Sequence, residues 1–411
     1  MSTANAPALV WRRKYIRVVE SHSKPSLCIV KASGGVETFV RAHADGLPAA
    51  VTLIHDLPPR IDDKPVLSQS VLSRACRKAA RRLQGREWDW EITSAYLDVF
   101  RRVRAEAVLA EFGQAGVAVL DACRRMDVPL VVHFHGADIS KHAVLREYGE
   151  KYRRLFREAH ALVAVSKPMQ QRLIVLGAAP EKVYCNPCGV DCRSFTDASP
   201  ATAGPVFLAV GRFVDKKAPQ LTLLAFSRVH QENPAARLRM IGNGPLLDAC
   251  RDLARGLGIA DAVSFLDVQP YDVIQDEMRG ARAFLQHSVE APSGDTEGTP
   301  VAVLEAGASG LPVVATRHAG IPDVVIDQTT GLLVDERDVA GMASAMLRLL
   351  DDPLLAERLG AAARDHVRAN FSLDQSLARL WSIIASCLRL SERMPQPLWS
   401  VRQPDNRGRT S

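Results

Sequence analysis

Val206-Phe207-Leu208-Ala209-Val210-Gly211-Arg212-Phe213-Val214-Asp215-Lys216-Lys217-Ala218-Pro219 is the stretch on which the fold turns. Five apolar residues suit a buried strand, Gly211 ends it, and Pro219 suits the opening of a helix. Repeated, this unit builds a parallel sheet covered on both faces, in which ligands bind at the carboxyl ends of the strands. Arg212, Lys216 and Lys217 would stand at that edge. The pattern recurs downstream, with strands predicted at Arg237–Ile241, Val263–Leu266, Ala283–Leu285, Pro312–Ala315 and Gly331–Val334. Upstream it predicts Ile16–Val19, Ala50–Ile54, Ala107–Leu109, Leu130–Phe134 and Leu162–Val165, with a helix over Gly113–Arg125 where Val117, Val119, Leu120 and Cys123 recur at helical steps.

Two α/β domains follow from this reading, and the 411 residues can fill two cores. Thr196 to Pro205 is small, polar and proline-bearing, so we divide the chain into a domain over 1–195, a linker over 196–205 and a second domain over 206–370. A helix over 371–390 is expected to pack back on the first domain, and 391–411 to be a disordered tail. No apolar run approaches the roughly 20 residues of a membrane span, and Met1 to Pro7 lacks a secretory pattern. A cytoplasmic protein is expected, at most peripheral at the inner face of the membrane. The eight cysteines are too dilute for a disulfide framework, and Cys185-x2-Cys188 finds no second pair for zinc.

The net charge of +6 is unevenly shared: residues 1–200 carry 30 Lys and Arg against 21 Asp and Glu, and the remainder 22 against 25. The densest run, Arg74 to Arg86, places most of its cations on one side of a helix. It reads equally as a solvated face or as a site for an anionic membrane surface. Nucleic acid is not expected as a partner, since neither zinc-finger spacing nor an aromatic-basic signature accompanies the charge.

The chemistry concentrates in Ala291 to Gly310. Thr299 suits a helix cap, Pro300 the first helical position and Gly310 the stop. The amides at Gly298, Thr299 and the first turn would then face the loop, where the helix dipole favours an anion. Glu297 and Glu305, eight apart, could bracket one elongated polar ligand; taken singly, each is equally a solvated acid. Arg212 can grip a diphosphate bidentately and Lys217 can add a compact charge, though both also read as surface ion-pair residues. Ser33-Gly34-Gly35 opens a helical pattern and would let a phosphate approach the backbone. His135-Gly136 ends strand Leu130–Phe134 at the ligand edge. No Asp-x-Asp occurs, which agrees with a site without a metal or other cofactor.

In this order and spacing the residues resemble the retaining glycosyltransferases of family 4, with the GT-B architecture of two Rossmann-like domains facing across a cleft. The resemblance covers about residues 16–390. It rests first on Glu297-x7-Glu305, then on Gly211-Arg212 with Lys217, Gly34-Gly35 and His135-Gly136; Ser288 to Val303 is most similar to transferases of bacterial exopolysaccharide or lipopolysaccharide synthesis. It implies transfer of a hexose from a nucleotide diphosphate sugar to a lipid-linked or polysaccharide acceptor. Glu305 would hold the ribose and Glu297 the donor-sugar hydroxyls. Arg212, Lys217, Gly34, Gly35, Gly298 and Thr299 would hold the diphosphate, and His135 would lie beside the sugar. The family commonly has glycine where this chain has Ala218, and Ser21 to Ser33 is unusual for the segment before the glycine loop. A nucleotide-sugar epimerase of the same fold, or a binding protein without turnover, are the competing readings.

Overall fold

A computed structural model describes residues 24–32, 37–56, 59–61, 64–66, 88–195 and 198–393. Among them the strands form two sheets. The first comprises β1 (Ser26–Lys31), β2 (Ala50–His55), β3 (Arg60–Ile61), β4 (Lys64–Pro65), β5 (Ala107–Glu111), β6 (Leu130–Phe134), β7 (Ala161–Ala164) and β8 (Val183–Cys185). Its order is β4-β3-β2-β1-β5-β6-β7-β8, parallel except where β3 meets β2 and β4. The second comprises β9 (Val206–Val210), β10 (Arg237–Ile241), β11 (Val263–Phe265), β12 (Ala283–Gln286), β13 (Val313–Thr316) and β14 (Gly331–Val334), all parallel in the order β11-β10-β9-β12-β13-β14.

Each sheet reverses its winding once, between β1 and β5 in the first and between β9 and β12 in the second. Neighbouring connections leave for opposite faces at such a point and open a crevice at the strand tips. Lys31 and Glu111 therefore stand at one crevice, Gly211 and Gln286 at the other. Apolar clusters cover both faces of both sheets, as strands buried on two sides require.

The structure corrects the first sheet. The predicted strand Ile16–Val19 lies outside the described residues, and the strand between β2 and β5 is Ser26–Lys31, with Leu27, Cys28, Ile29 and Val30 fully buried. Four apolar residues between Pro25 and Lys31 were its signal. The predicted helix over Gly113–Arg125 is observed over Gly113–Met126, and the second-sheet strands agree within a residue at their ends. The basic run Arg74–Arg86 lies outside the described residues, as does the expected tail beyond Arg393. No helix of the described residues is long and apolar enough to cross a membrane.

Helix Leu373–Arg393 returns to the first sheet. Leu380, Ile384 and Cys387 are buried against Leu27, Ile29, Leu109, Val131 and Val163. The crossing is fixed by backbone bonds from Val190 N–H to Phe371 and from Leu373 N–H to Val190, each 2.9 Å. Gly189 is needed there because a Cβ would come within 2.6 Å of Leu373 Cα. The chain's end thus ties its two halves together. Leu380→Ala, at a fully buried position, is expected to cost about 2–4 kcal/mol, seen as a lower denaturant midpoint for unfolding of the first half.

Candidate active site

The second sheet supplies its charges from the turn after β9. Gly211 N–H bonds to Ile241 at 2.9 Å and Phe213 N–H to Asn243 at 3.0 Å, knitting this turn to the one after β10. Gly242 is required there: at φ 134° it lies so close that a Cβ would sit 2.0 Å from the Gly211 carbonyl. The packing explains that glycine turn. A single turn over Asp215–Lys217 follows, and Ala218 closes it in the left-handed region at φ 38°. This is the position at which the sequence departs from the family's glycine, and the conformation is one that favours glycine.

Lys217 folds back over Gly211 and places Nζ 3.2 Å from Glu297 Oε1. Glu297 is 6% exposed. Burial pushes its carboxyl up, but the ammonium groups of Lys217 and Lys216 outweigh that and hold it below the usual range. Ser288 Oγ donates to the same oxygen at 3.4 Å. The Glu297 backbone N–H donates to His318 Nε2 at 3.2 Å, and His318 Nδ1–H in turn donates to Glu336 at 2.6 Å, which settles the tautomer. His318, Ser288 and Glu336 escaped the sequence reading; the turn His318-Ala-Gly320 at the end of β13 was the available signal.

Glu305 lies in helix Val301–Ala308 and accepts from Tyr271 Oη at 3.2 Å. Burial pushes its carboxyl up to about 7, with the Tyr271 bond and the Lys217 charge opposing. Arg212 is exposed, and none of the described residues pairs with it. Glu297, Glu305, Lys217 and Arg212 thus share one crevice at the β9–β12 switch point.

Thr299 requires correction. The helix begins at Val301 with Pro300 at the cap position and no side-chain cap. The Thr299 hydroxyl is spent on the other domain, donating to the Val165 carbonyl and accepting from Cys188 N–H at 3.3 Å. The tertiary partners outcompete the local cap. The whole loop is an interdomain wedge: His142 N–H bonds to Ser293 at 2.9 Å, Thr296 N–H to Ser140 Oγ at 3.2 Å, and Asp295 is held between Lys216 at 3.2 Å and Lys141 at 3.3 Å. Gly298 packs so closely that a Cβ would lie 2.5 Å from the His135 carbonyl. Beside it a cavity of about 310 Å³ is lined by Gly136, Ser140, Glu297, His318 and Glu336 among others.

His135 is brought to the loop by its backbone, while its imidazole is turned into the first domain. The side chain is 6% exposed, with Nε2 2.7 Å from Glu111 Oε2 and the Phe39 and Phe112 rings at 4.3 and 4.7 Å. Gly34 and Gly35 lie outside the described residues. As to metals, His43, Glu111 and His133 offer ligand atoms within 4.8 Å of one another, away from the crevice of the second sheet. Asp295 already has both oxygens engaged by lysines.

Residues 195–366 match the family described as Glycosyl transferases group 1, and residues 33–194 that described as Glycosyltransferase Family 4. The amylovoran biosynthesis glycosyltransferase AmsK of Erwinia amylovora is 31% identical over 285 residues, 68% of this chain and 70% of AmsK. The protein assigned as colanic acid biosynthesis glycosyltransferase WcaL of Escherichia coli is 33% identical over 288 residues, 67% of this chain and 70% of WcaL. Among solved structures, sucrose-phosphate synthase of Thermosynechococcus elongatus superposes with a TM-score of 0.70 at 17% identity, over 89% of this chain and all of that one. HepE of Anabaena in complex with UDP gives 0.68 at 16% identity, over 88% of this chain and all of HepE. Both share the two-domain GT-B fold.

Glu305 yields a prediction with a definite sign. A carboxyl whose folded value (about 7) lies above its unfolded one (4.5) destabilises the fold progressively as pH rises between the two. Glu305→Gln is therefore expected to raise the melting temperature at pH 8 and to leave it nearly unchanged at pH 4.5. Equal shifts at both values would contradict the burial of this carboxyl.

Proposed function

Because the chain belongs to the GT-B glycosyltransferases, with a group 1 match over its second half and a family 4 match over its first, we propose that it is a retaining hexosyltransferase of cell-surface polysaccharide synthesis. It would move sugar from a nucleotide diphosphate donor to a lipid-linked or polysaccharide acceptor; the names of AmsK and WcaL, glycosyltransferases of amylovoran and colanic acid biosynthesis, support the polysaccharide context. The observation that carries the site reading is the convergence of Arg212, Lys217, Glu297 and Glu305 on one crevice, with the loop of Glu297 pressed against the opposite domain.

Cleaving the sugar–phosphate bond leaves negative charge on the nucleoside diphosphate and oxocarbenium character at the anomeric carbon. Arg212, unpaired among the described residues, and Lys217 supply fixed positive charge for the leaving group, so no divalent ion is called on. Amides at Gly298 and the start of helix Val301–Ala308 add partial charge. Gly34 and Gly35 join them on sequence grounds. Glu305 takes the ribose hydroxyls and Glu297 the sugar hydroxyls, while His135 sits at the sugar end. With the anomeric carbon exposed on one face, the departing phosphate oxygen is the base nearest the incoming hydroxyl. The interdomain wedge excludes water, which would otherwise hydrolyse the donor.

A thermal-shift screen of nucleotide diphosphate sugars is expected to find one base and sugar whose stabilisation grows with concentration. Against that donor, Lys217→Ala and Glu305→Ala should each weaken binding by roughly tenfold or more, and transfer should survive chelation. Unchanged affinity in both variants would refute the site assignment; conversion of the donor without any acceptor would indicate an epimerase. The basic run Arg74–Arg86 is proposed to hold the enzyme on anionic lipid, and binding to anionic vesicles that falls as salt rises is the corresponding expectation.

A further inference from the structure

The ends of β5 and β6 enclose a group of side chains that the crevice of the second sheet does not use. Parallel register places Glu111 of β5 beside His133 of β6. Helix Thr38–Gly46 delivers His43 from outside the sheet. Glu111 and His133 are wholly buried and His43 is 3% exposed. His43 Nδ1 lies 2.7 Å from Glu111 Oε1, His135 Nε2 lies 2.7 Å from Oε2, and His133 Nδ1 stands 3.4 Å from that second oxygen.

Hydrogen bonding accounts for Glu111 and leaves His133 over. His43 and His135 each bond one carboxylate oxygen. At 3.4 Å the Nδ1 of His133 is outside the range of a formed N–H···O bond, and among the described residues neither of its ring nitrogens has a hydrogen-bond partner. A fully buried imidazole with both nitrogens unused is costly, and an apolar side chain there would escape that cost. His133 also stacks on His43, with ring centroids 5.4 Å apart at 26°. One ligand atom from each of His43, Glu111 and His133 lies within 4.8 Å of the other two.

Two imidazoles and a carboxylate suit a divalent first-row transition ion, whereas calcium and magnesium call for oxygen ligands in larger number. Glu111 turns one oxygen toward His43 and the other toward His133, so binding through both would bring the donor set to four. Ligands about 2.0–2.2 Å from one tetrahedral ion stand roughly 3.4 Å apart, so gathering the imidazole nitrogens takes a closure on the order of 1 Å. Coordination moves the proton off His43 Nδ1. His135, bonded to Oε2, would orient the bound carboxylate from outside the ligand set.

We propose that His43, Glu111 and His133 form a structural site for a divalent transition ion, which fastens helix Thr38–Gly46 to the ends of β5 and β6. The helix has nine residues, of which only Val40 and His43 are buried, so apolar packing by itself grips it lightly. An ion held through His43 supplies the missing attachment. The site stands apart from donor binding and does not depend on the transferase reading. Enclosed as it is, the ion resists chelators added to the folded protein, so its presence is compatible with transfer that survives chelation.

The test uses the untagged full chain, unfolded in chelator, refolded without metal and given zinc chloride alone. One zinc per chain should remain through gel filtration, the melting temperature should rise with zinc concentration, and amides of 38–46 should exchange more slowly. His133→Phe fills a similar space without a donor and should weaken zinc binding by roughly a hundredfold or more, while His135→Gln, which touches only the carboxylate, should weaken it by roughly ten- to a hundredfold. His43→Gln, on the helix instead of the sheet, is expected to match His133→Phe and serves if that variant does not fold. Cys185→Ser should leave zinc binding unchanged, which separates this site from one built on thiols. Refolded wild-type protein that retains neither zinc nor cobalt(II) overturns the proposal, as does zinc binding that survives both His133→Phe and His43→Gln or is lost in Cys185→Ser. Zinc bound at these residues with no slowing of exchange over 38–46 would overturn the structural role.

Discussion

The buried carboxylate of Glu297 can remain charged because an ammonium stands 3.2 Å from it, and much else in the second half follows from that requirement. Lys217 reaches back only if the chain reverses immediately after it, which puts Ala218 at φ 38° in a conformation that costs a side-chain-bearing residue roughly 1 kcal/mol. Glu297 in turn must be held by its backbone, and His318 does this with one nitrogen while Glu336 fixes the other. The loop so pinned presents Thr296, Gly298 and Thr299 outward, where they meet the first domain. A single ion pair therefore specifies a turn, a loop and an interface.

How much of this was legible depended on where the determining contacts lie in the chain. The second sheet could be read because most of its strands are short apolar runs closed by a turn signal, with β12 and β13 buried throughout between their neighbours. β1 hid because Ser26–Lys31 has polar ends and only four apolar residues, and a partner strand 50–55 was needed to show that it is the middle of a sheet. Thr299 looked like a cap because capping is the local use of that residue; Val165 and Cys188 claimed its hydroxyl from more than a hundred positions away. Glu297 and Glu305 were visible as a spacing, but the opposite net shifts of their carboxyls were not. One has a lysine at contact distance and the other a phenol. His135 was found as a strand-end histidine, while its partners on β5 and helix Thr38–Gly46 are set by strand order, which a single strand does not reveal.

The charged groups divide into two kinds. Glu111 and Glu297 are buried and satisfied within the protein, each by several partners. Such networks contribute little net stability, since desolvation offsets the attraction, but they hold atoms in one arrangement. Arg212 and Glu305 are the reverse. The guanidinium has no partner among the described residues, and the carboxyl is pushed toward its neutral form by a burial that one phenol and a lysine only partly offset. These are the groups with hydrogen-bonding capacity left over, and both face the crevice of the second sheet. A ligand with an anionic end and a hydroxylated end relieves both at once, so part of the free energy withheld from folding returns on binding. The internally satisfied charges fix the geometry of the site, and the unsatisfied ones add affinity to it, because a group already paired gains less from a ligand than one that is not.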